Sequence, residues 1–335
     1  MKLAFFEIES WEKEVLTKSF PKDNLLFSTS KLTIKNVDKY KDTEILSVFI
    51  YSQITDKLLA QMPKLKLIAT RSTGFNHIDL ASCKKRQIPV CYVPTYGENT
   101  VAEHAFALIL ALSRKIVSSV ERTKQGSFDL TGLRGFDLKN HTLGVIGSGS
   151  IGKHVIRMAK GFEMNLLVFD VYPDKVYAKQ MGFSYVSLDE LLKKADIVTI
   201  HVPYNKNTFH LIGKEALAKM KPTAYLINTS RGELVDTDAL VKALKSNRLA
   251  GAGLDVLEEE CHMMEERALL TKEFSQQQCN LKTLLENHVL LTMPNVLITP
   301  HNAFNTQEAL TRILDTTISN ITGFKNKKLI NVVTN

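Results

Sequence analysis

The sequence predicts an α/β fold with two domains of parallel sheet, and three observations carry that expectation. Apolar runs of strand length alternate with stretches of helical spacing almost from end to end, as strands joined by crossover helices do. The alternation starts twice, near Lys2 and again near Thr142. A chain of 335 residues also exceeds what one ordinary core accommodates.

In the first series, "KLAFFEI" (2–8), "ILSVFI" (45–50), "KLIAT" (66–70) and "PVCYV" (89–93) read as strands, with the helical "ITDKLLAQM" between the second and third. From Val101 the stretch "VAEHAFALILALSRKIVSSVERTKQG" reads as one long helix, apolar on so many sides that it should be buried, between two domains. The second series runs "TLGVIG" strand, "IGKHVIRMAKGF" helix, "NLLVFD" strand, "SLDELLKKA" helix, "DIVTIHV" strand, "AYLINTS" strand, "DTDALVKALKSN" helix and "AGAGLDV" strand. Ser187 and Glu190 have the spacing of a capping box. Residues 258–294 are too long for a simple connection and predict an inserted helix, in "LKTLLENHVLL", or a lid-like excursion. A last strand, "NVLIT", stops at Pro300, which cannot donate to a ladder. The amphipathic "TQEALTRILDTTISNITGF" follows the end of the sheet series and is expected to return to the first domain. The expected division is therefore 1–98 plus 304–335 for a discontinuous first domain and 99–303 for the second.

Composition excludes several classes. No run approaches the roughly 18–20 apolar residues of a membrane span, and acidic residues stand where a signal peptide would continue its apolar core. The four cysteines, Cys83, Cys91, Cys261 and Cys279, show no CxxC and no ligand-like pairing with histidine. Reduced thiols, a cytoplasmic setting and no metal are the expectation. A net charge of +8 comes from short basic clusters without interleaved aromatics, so no nucleic-acid partner is expected. A positive field would suit an anionic substrate.

Gly147, Gly149 and Gly152 form G-x-G-x-x-G between an apolar strand and a helix, and Asp170 ends the next strand 18 residues after the last glycine. That context marks a dinucleotide site. Gly147 permits the tight turn, Gly149 lets pyrophosphate approach backbone, and Gly152 lets the helix pack on the strand. Pyrophosphate would sit on the helix N-terminus. Asp170 would bond both ribose hydroxyls and repel a 2′-phosphate, and Val171 and Tyr172 offer no arginine for one, so the expected cofactor is NAD (NADH).

Three further segments end strands with polar groups: "INTSRGELVD" (227–236), "GLDVLEEE" (253–260) and "TPHNAF" (299–304). In a parallel sheet all three share an edge with the glycine turn, which brings Arg231, an acidic run and His301 toward the nicotinamide end.

With "RSTGFNHIDL" (71–80), "VPTYGENTVAEHAFALIL" (93–110), "LGVIGSGSIG" (143–152) and "HVPYNKNTFHLI" (201–212), these motifs cover essentially the whole chain in order. The sequence resembles the D-isomer-specific 2-hydroxyacid dehydrogenases, and among them the D-lactate dehydrogenase branch. The resemblance implies two Rossmann-like/flavodoxin-like domains with an active-site cleft between them, and a homodimer formed through the nucleotide domains and the long helix. Arg231 resembles the arginine that binds the substrate carboxylate, His301 the acid/base, and Glu260 the carboxylate that bonds this histidine and favours its protonated form. The run Glu258–Glu259–Glu260 leaves room for a slipped register. Asp255 resembles a residue near the nicotinamide. Thr100, Ser150, Ile151, Val202, Pro203, Asn228, Thr229 and Ser230 resemble cofactor contacts, and Thr73–Gly74 a loop whose N–H groups hold the carboxylate. Tyr51, Tyr96 and Phe304 match positions that line a small pocket and favour pyruvate, although Asn305 departs from the aromatic common there. His77, His104, His201 and His210 are expected to serve packing or polar bonding.

The implied reaction is reversible NADH-dependent reduction of pyruvate to D-lactate. A phosphoglycerate, hydroxypyruvate or glyoxylate reductase shares most motifs; the given sequence runs only a little past the returning helix, so a regulatory domain of the phosphoglycerate type is not expected. A formate dehydrogenase would carry glutamine in place of Glu260. A non-enzymatic, NAD(H)-sensing corepressor scaffold would keep similar residues.

Overall fold

The computed structural model describes residues 1–260 and 280–333. The chain divides into two compact units, residues 1–97 with 305–335, and residues 98–304.

The first unit contains β1 (Lys2–Phe5), α1 (Ser10–Ser19), β2 (Asn24–Phe27), β3 (Ile45–Val48), α2 (Asp56–Leu59), β4 (Leu67–Thr70), α3 (Leu80–Lys85) and β5 (Val90–Cys91). All pairings are parallel, in the order β2-β1-β3-β4-β5. This is the flavodoxin-type order, whose crevice lies where the chain reverses direction across the sheet. Alternation sends Leu3, Phe5, Ile45, Leu67 and Ala69 into one core and Ala4, Leu46, Val48 and Ile68 into the other, so helices cover both faces.

In the second unit, α4 (Glu98–Ser113) and α5 (Ile116–Lys124) precede β6 (Thr142–Ile146), α6 (Ser150–Gly161), β7 (Asn165–Phe169), α7 (Lys175–Met181), β8 (Ser184–Tyr185), α8 (Leu188–Lys194), β9 (Ile197–Ile200), α9 (Lys214–Lys219), β10 (Tyr225–Asn228), α10 (Thr237–Lys245), β11 (Gly251–Leu254), α11 (Leu281–Thr292) and β12 (Val296–Ile298). Seven parallel strands lie in the order β12-β11-β10-β9-β6-β7-β8, the doubly wound arrangement with its switch point between β6 and β9. The last helix, α12 (Gln307–Lys325), packs on β4 and α1 of the first unit. Beyond it, Val332 forms an antiparallel bridge to Cys91.

Several expectations need correction. The stretch from Val101 is two helices rather than one. Ser113 gives its carbonyl to Phe136 N (2.9 Å) and Lys115 turns left-handed at φ 52°, which ends α4. Helix α4 is largely buried, whereas α5 buries no residue. The capping box at Ser187 is half formed: its Oγ accepts from Glu190 N (3.2 Å), but the Glu190 carboxylate takes Lys194 Nζ (2.6 Å) instead of reaching back. Strands β2 and β8 and helices α1, α3, α7 and α9 were not signalled; all but the ten-residue α1 are too short to show a period. Of the 258–294 excursion, α11 is present, while residues 261–279, with Cys261 and Cys279, lie outside the described residues.

Candidate active site

The parallel register brings the loops after β6, β9, β10, β11 and β12 to one edge of the sheet of the second unit. The glycine turn follows β6. Gly147 has φ 97°, and a Cβ there would stand 2.5 Å from His201 O. A Cβ on Gly152 would stand 2.0 Å from Gly147 O, so α6 seats directly on the turn. At Gly149 a Cβ would meet nothing within 4 Å, and no side chain caps α6, which leaves an open cradle of N–H donors. Ser150 and Ile151 form the first turn of that helix. Two buried polar atoms nearby in the topology, His201 Nδ1 after β9 and Thr229 Oγ1 after β10, have no partner among the described residues. These features fit a dinucleotide with its pyrophosphate on α6.

Asp170 ends β7 with its carboxylate already engaged. Oδ2 accepts from Ser148 N (2.6 Å) and Ser148 Oγ (2.8 Å), and Oδ1 from Tyr172 N (2.9 Å). Burial pushes its carboxyl up, but these bonds outweigh that effect and hold it below the ordinary carboxylate range. The aspartate is thereby kept anionic beside the turn. Val202 and Pro203 follow β9, half-buried and exposed, and Thr100 is buried in α4. After β10, Ser230 N donates to Asn228 Oδ1 (3.0 Å), Asn228 Nδ2 to Arg231 O (2.8 Å) and Ser230 Oγ to Ile200 O (2.8 Å), which stiffens the loop that carries Arg231. Arg231 is half-buried and its Nη1 donates to Ser230 O (2.7 Å). Among the described residues no acidic side chain pairs with it, so its charge is available to an anion.

His301 Nδ1 and Glu260 Oε1 are 2.6 Å apart. A carboxylate accepts only, so Nδ1 carries the proton and Nε2 is left without a bond among the described residues. The two side chains are 31% and 38% exposed. Glu260 is braced through its second oxygen, which accepts from Leu257 N (3.2 Å). Glu258 and Glu260 thus divide by partner, since Glu258 bonds His210 and Thr237.

Asp255, expected beside the nicotinamide, is 1% exposed and spends its side chain on the histidine loop. Oδ1 accepts from Thr299 Oγ1 (2.5 Å) and Asn302 N (3.0 Å), and Oδ2 from Ala303 N (2.9 Å), while His301 N donates to Asp255 O (2.9 Å). His104 Nε2 reaches both Thr299 Oγ1 (3.0 Å) and Asp255 Oδ1 (3.3 Å). Burial pushes the Asp255 carboxyl up, and the bonds from His104, Thr299 and Ala303 bring it below its usual value. His301 itself has φ 51°, a conformation costly for a non-glycine residue unless its surroundings impose it. The Asp255 clasp on the next two N–H groups imposes it. Sequence reasoning gave no task to Ser148, Thr237 or Glu258, because short polar side chains signal nothing until their partners are adjacent.

In the first unit, Thr73 and Gly74 follow β4. Thr73 Oγ1 donates to Val93 O (2.7 Å), and Ser72 Oγ to Gly74 O (2.6 Å). Beneath them Arg71, 2% exposed, donates to Phe6 O and Glu7 O (2.7 and 2.8 Å) and pairs with Glu12 (3.3 Å). Tyr51 is exposed after β3, with its N–H on Glu7 Oε1 (2.7 Å); the carbonyl of Tyr96 accepts from Arg312 Nε. Phe304 is half-buried at the end of the second unit.

Residues 106–303 match the family model of the D-isomer-specific 2-hydroxyacid dehydrogenase NAD-binding domain. The chain belongs to this family. It is an NAD-dependent dehydrogenase. Over the full length the dehydrogenase is 35% identical to D-lactate dehydrogenase of Escherichia coli, covering 97% of each chain. It is 34% identical to a glyoxylate reductase of Pyrococcus furiosus, over 96% of this chain and 86% of that one. Among solved structures, that of the D-lactate dehydrogenase of Aquifex aeolicus, complexed with NAD and lactic acid, superimposes with a TM-score of 0.84 at 38% identity, covering 97% and 96% of the two chains. Among its described residues this dehydrogenase has no helix long and apolar enough to cross a membrane.

Proposed function

We propose that the protein is a D-lactate dehydrogenase that reduces pyruvate to D-lactate with NADH, reversibly. The observation that carries the chemistry is the 2.6 Å His301–Glu260 pair on the sheet edge that holds the dinucleotide cradle. NADH on that cradle supplies the hydride. Arg231 takes the substrate carboxylate in its planar fork, which lysine could not match. His301 gives the proton on Nε2 to the keto oxygen as C2 receives the hydride, and Glu260 balances the imidazolium and fixes its tilt. In the reverse direction the same nitrogen removes the hydroxyl proton. We assign ribose binding to Asp170 and further dinucleotide contacts to Thr100, Val202, Pro203, Asn228, Thr229 and Ser230. Thr73, Gly74, Tyr51, Tyr96 and Phe304 are assigned to the substrate.

Pyruvate is favoured by the near full-length likeness to two D-lactate dehydrogenases and by the aromatic residues at Tyr51, Tyr96 and Phe304. The comparable likeness to a glyoxylate reductase supports a second reading, reduction of glyoxylate. One missing methyl group in an apolar pocket is worth only about 1–3 kcal/mol, so kinetics must separate the two. NADH oxidation with pyruvate, glyoxylate, hydroxypyruvate and phenylpyruvate, followed by chiral analysis, is the test. The highest kcat/KM should be with pyruvate and the product should be D-lactate. An L-product, or a higher kcat/KM with glyoxylate, refutes the assignment. A cytoplasmic setting belongs to the same reading, supported by the buried free thiols Cys83 and Cys91. So does a homodimer, supported by the exposed apolar residues Ile116, Val117 and Val120 on α5 and Phe128 and Leu130 after it.

A further inference from the structure

A second histidine–glutamate pair lies in the same unit, and the reaction proposed above does not use it. His210 Nε2 is 2.7 Å from Glu258 Oε1, and the other Glu258 oxygen accepts from Thr237 N (3.0 Å) and Thr237 Oγ1 (2.5 Å). The Glu258 carboxylate therefore has three donors from two other segments. Its main-chain carbonyl is fixed as well, by the amide of the fully buried Asn287 (2.7 Å). His210 is held in turn: its N–H donates to Glu233 O (2.8 Å), its ring stacks on Phe209 at 3.9 Å, and its backbone is left-handed at φ 50°.

The consequence lies two residues further on. The turn that Glu258 pins is the one from which Glu260 reaches His301, and Glu260 is itself braced on Leu257 N. Gly232, next to Arg231, packs so closely on this turn that a Cβ would stand 2.1–2.3 Å from Leu257 C, Leu257 O and Glu258 N. The peptide after Arg231 and the turn bearing Glu260 are thus in direct backbone contact. Charge-assisted bonds such as His210–Glu258 are about twice as strong as neutral ones. A misplacement of about 1 Å can cost roughly 10²-fold in rate.

We infer that His210 and Glu258 are positioning residues for the dehydrogenase reaction, setting the reach of Glu260 to His301 and, through the Gly232 contact, the seat of Arg231. This inference rests on the catalytic roles proposed for Glu260 and His301. The test uses His210→Asn and His210→Gln in the full chain. Asparagine tolerates the left-handed backbone but is too short to reach Glu258, whereas glutamine restores a donor of similar length. Rates are expressed per NADH-binding site, titrated by NADH fluorescence. His210→Asn should lower kcat about 10–100-fold with the NADH Kd unchanged within about twofold, and His210→Gln should recover most of the loss. In a Glu260→Gln background the same His210→Asn change should cost clearly less in kcat than in the wild type, because only the part of its effect that passes through Arg231 remains.

An unchanged kcat in His210→Asn overturns the inference. So does a loss of equal size in both backgrounds, or a loss that glutamine fails to recover. If Glu260→Gln alone turned over like the wild type, the reading of Glu260 would fail first and take this one with it. If Glu260→Gln is slow while His210→Asn is not, only the positioning role falls.

Discussion

Replacing Asp255 by asparagine separates two tasks for this residue. Near the nicotinamide it would matter for cofactor binding; as a clasp on the His301 loop it would matter for the loop alone. The carboxylate presents acceptors only, and every group facing it donates: Thr299 Oγ1, Asn302 N, Ala303 N and His104 Nε2. In Asp255→Asn, an amide oxygen at the Oδ1 position keeps Thr299 and Asn302. The NH2 group then meets the N–H of Ala303, a residue only 5% exposed. The opposite orientation sets NH2 against Asn302 N and is worse. At least one buried donor is stranded, at about 1–3 kcal/mol, and the surviving bonds lose their charge. With about 2 kcal/mol lost from a unit of this size, Tm should fall by about 4–8 °C. The loop released beyond His301 should lower kcat about 10–100-fold, while NADH affinity, set at the glycine turn, stays within about twofold. Calorimetry, pyruvate kinetics and NADH fluorescence on one preparation supply the three numbers. An unchanged Tm with weakened NADH binding would refute the clasp and support the nicotinamide role.

The remaining expectations concern the acid/base group, pH and assembly. His301→Ala should cost about 10²–10⁴-fold in kcat; turnover near the wild-type rate would remove His301 from the mechanism. Burial lowers the His201 pKa to about 3 and that of His77 to about 4. Both histidines are thus neutral in the fold and charge readily when unfolded, near the ordinary value of about 6.5. Their stabilising effect is complete above about pH 6.5 and is lost as pH falls through the range between the unfolded and folded values. Each histidine should cost about 2 kcal/mol at pH 5, seen as a lower urea midpoint than at pH 7.5; His201→Gln should flatten that slope, and an identical slope would show that His201 is not the cause. Val120→Glu should convert a dimer to monomers in sedimentation velocity with secondary structure retained, and a dimer that survives the charge must be built on another surface.

Much of the fold was legible because its signals are local. Strands buried on both faces read as continuous apolar runs, the glycine turn needs three glycines at fixed spacing, and Pro300 stops a strand wherever it stands. Arg231, Glu260 and His301 could be singled out because each ends a strand and parallel strands end on one edge. The sequence did not show that α4 breaks after Ser113, since the break depends on Phe136 N–H taking a carbonyl that helical spacing alone would have continued.

Family, chain order of the strands and the identity of the polar strand ends are therefore properties of the sequence by itself. Tertiary structure alone decided the pairing: Glu260 with His301, Glu258 with His210, Asp255 with the loop at 301–303, and Asp170 with Ser148. The physical reason is reach. A hydrogen bond is set by positions within a few tenths of an ångström, and three adjacent glutamates differ in sequence only by register. Which oxygen meets which donor is fixed by the close contact at Gly232 and by the left-handed backbone at Glu259 and His301, and neither is written in residue type or spacing.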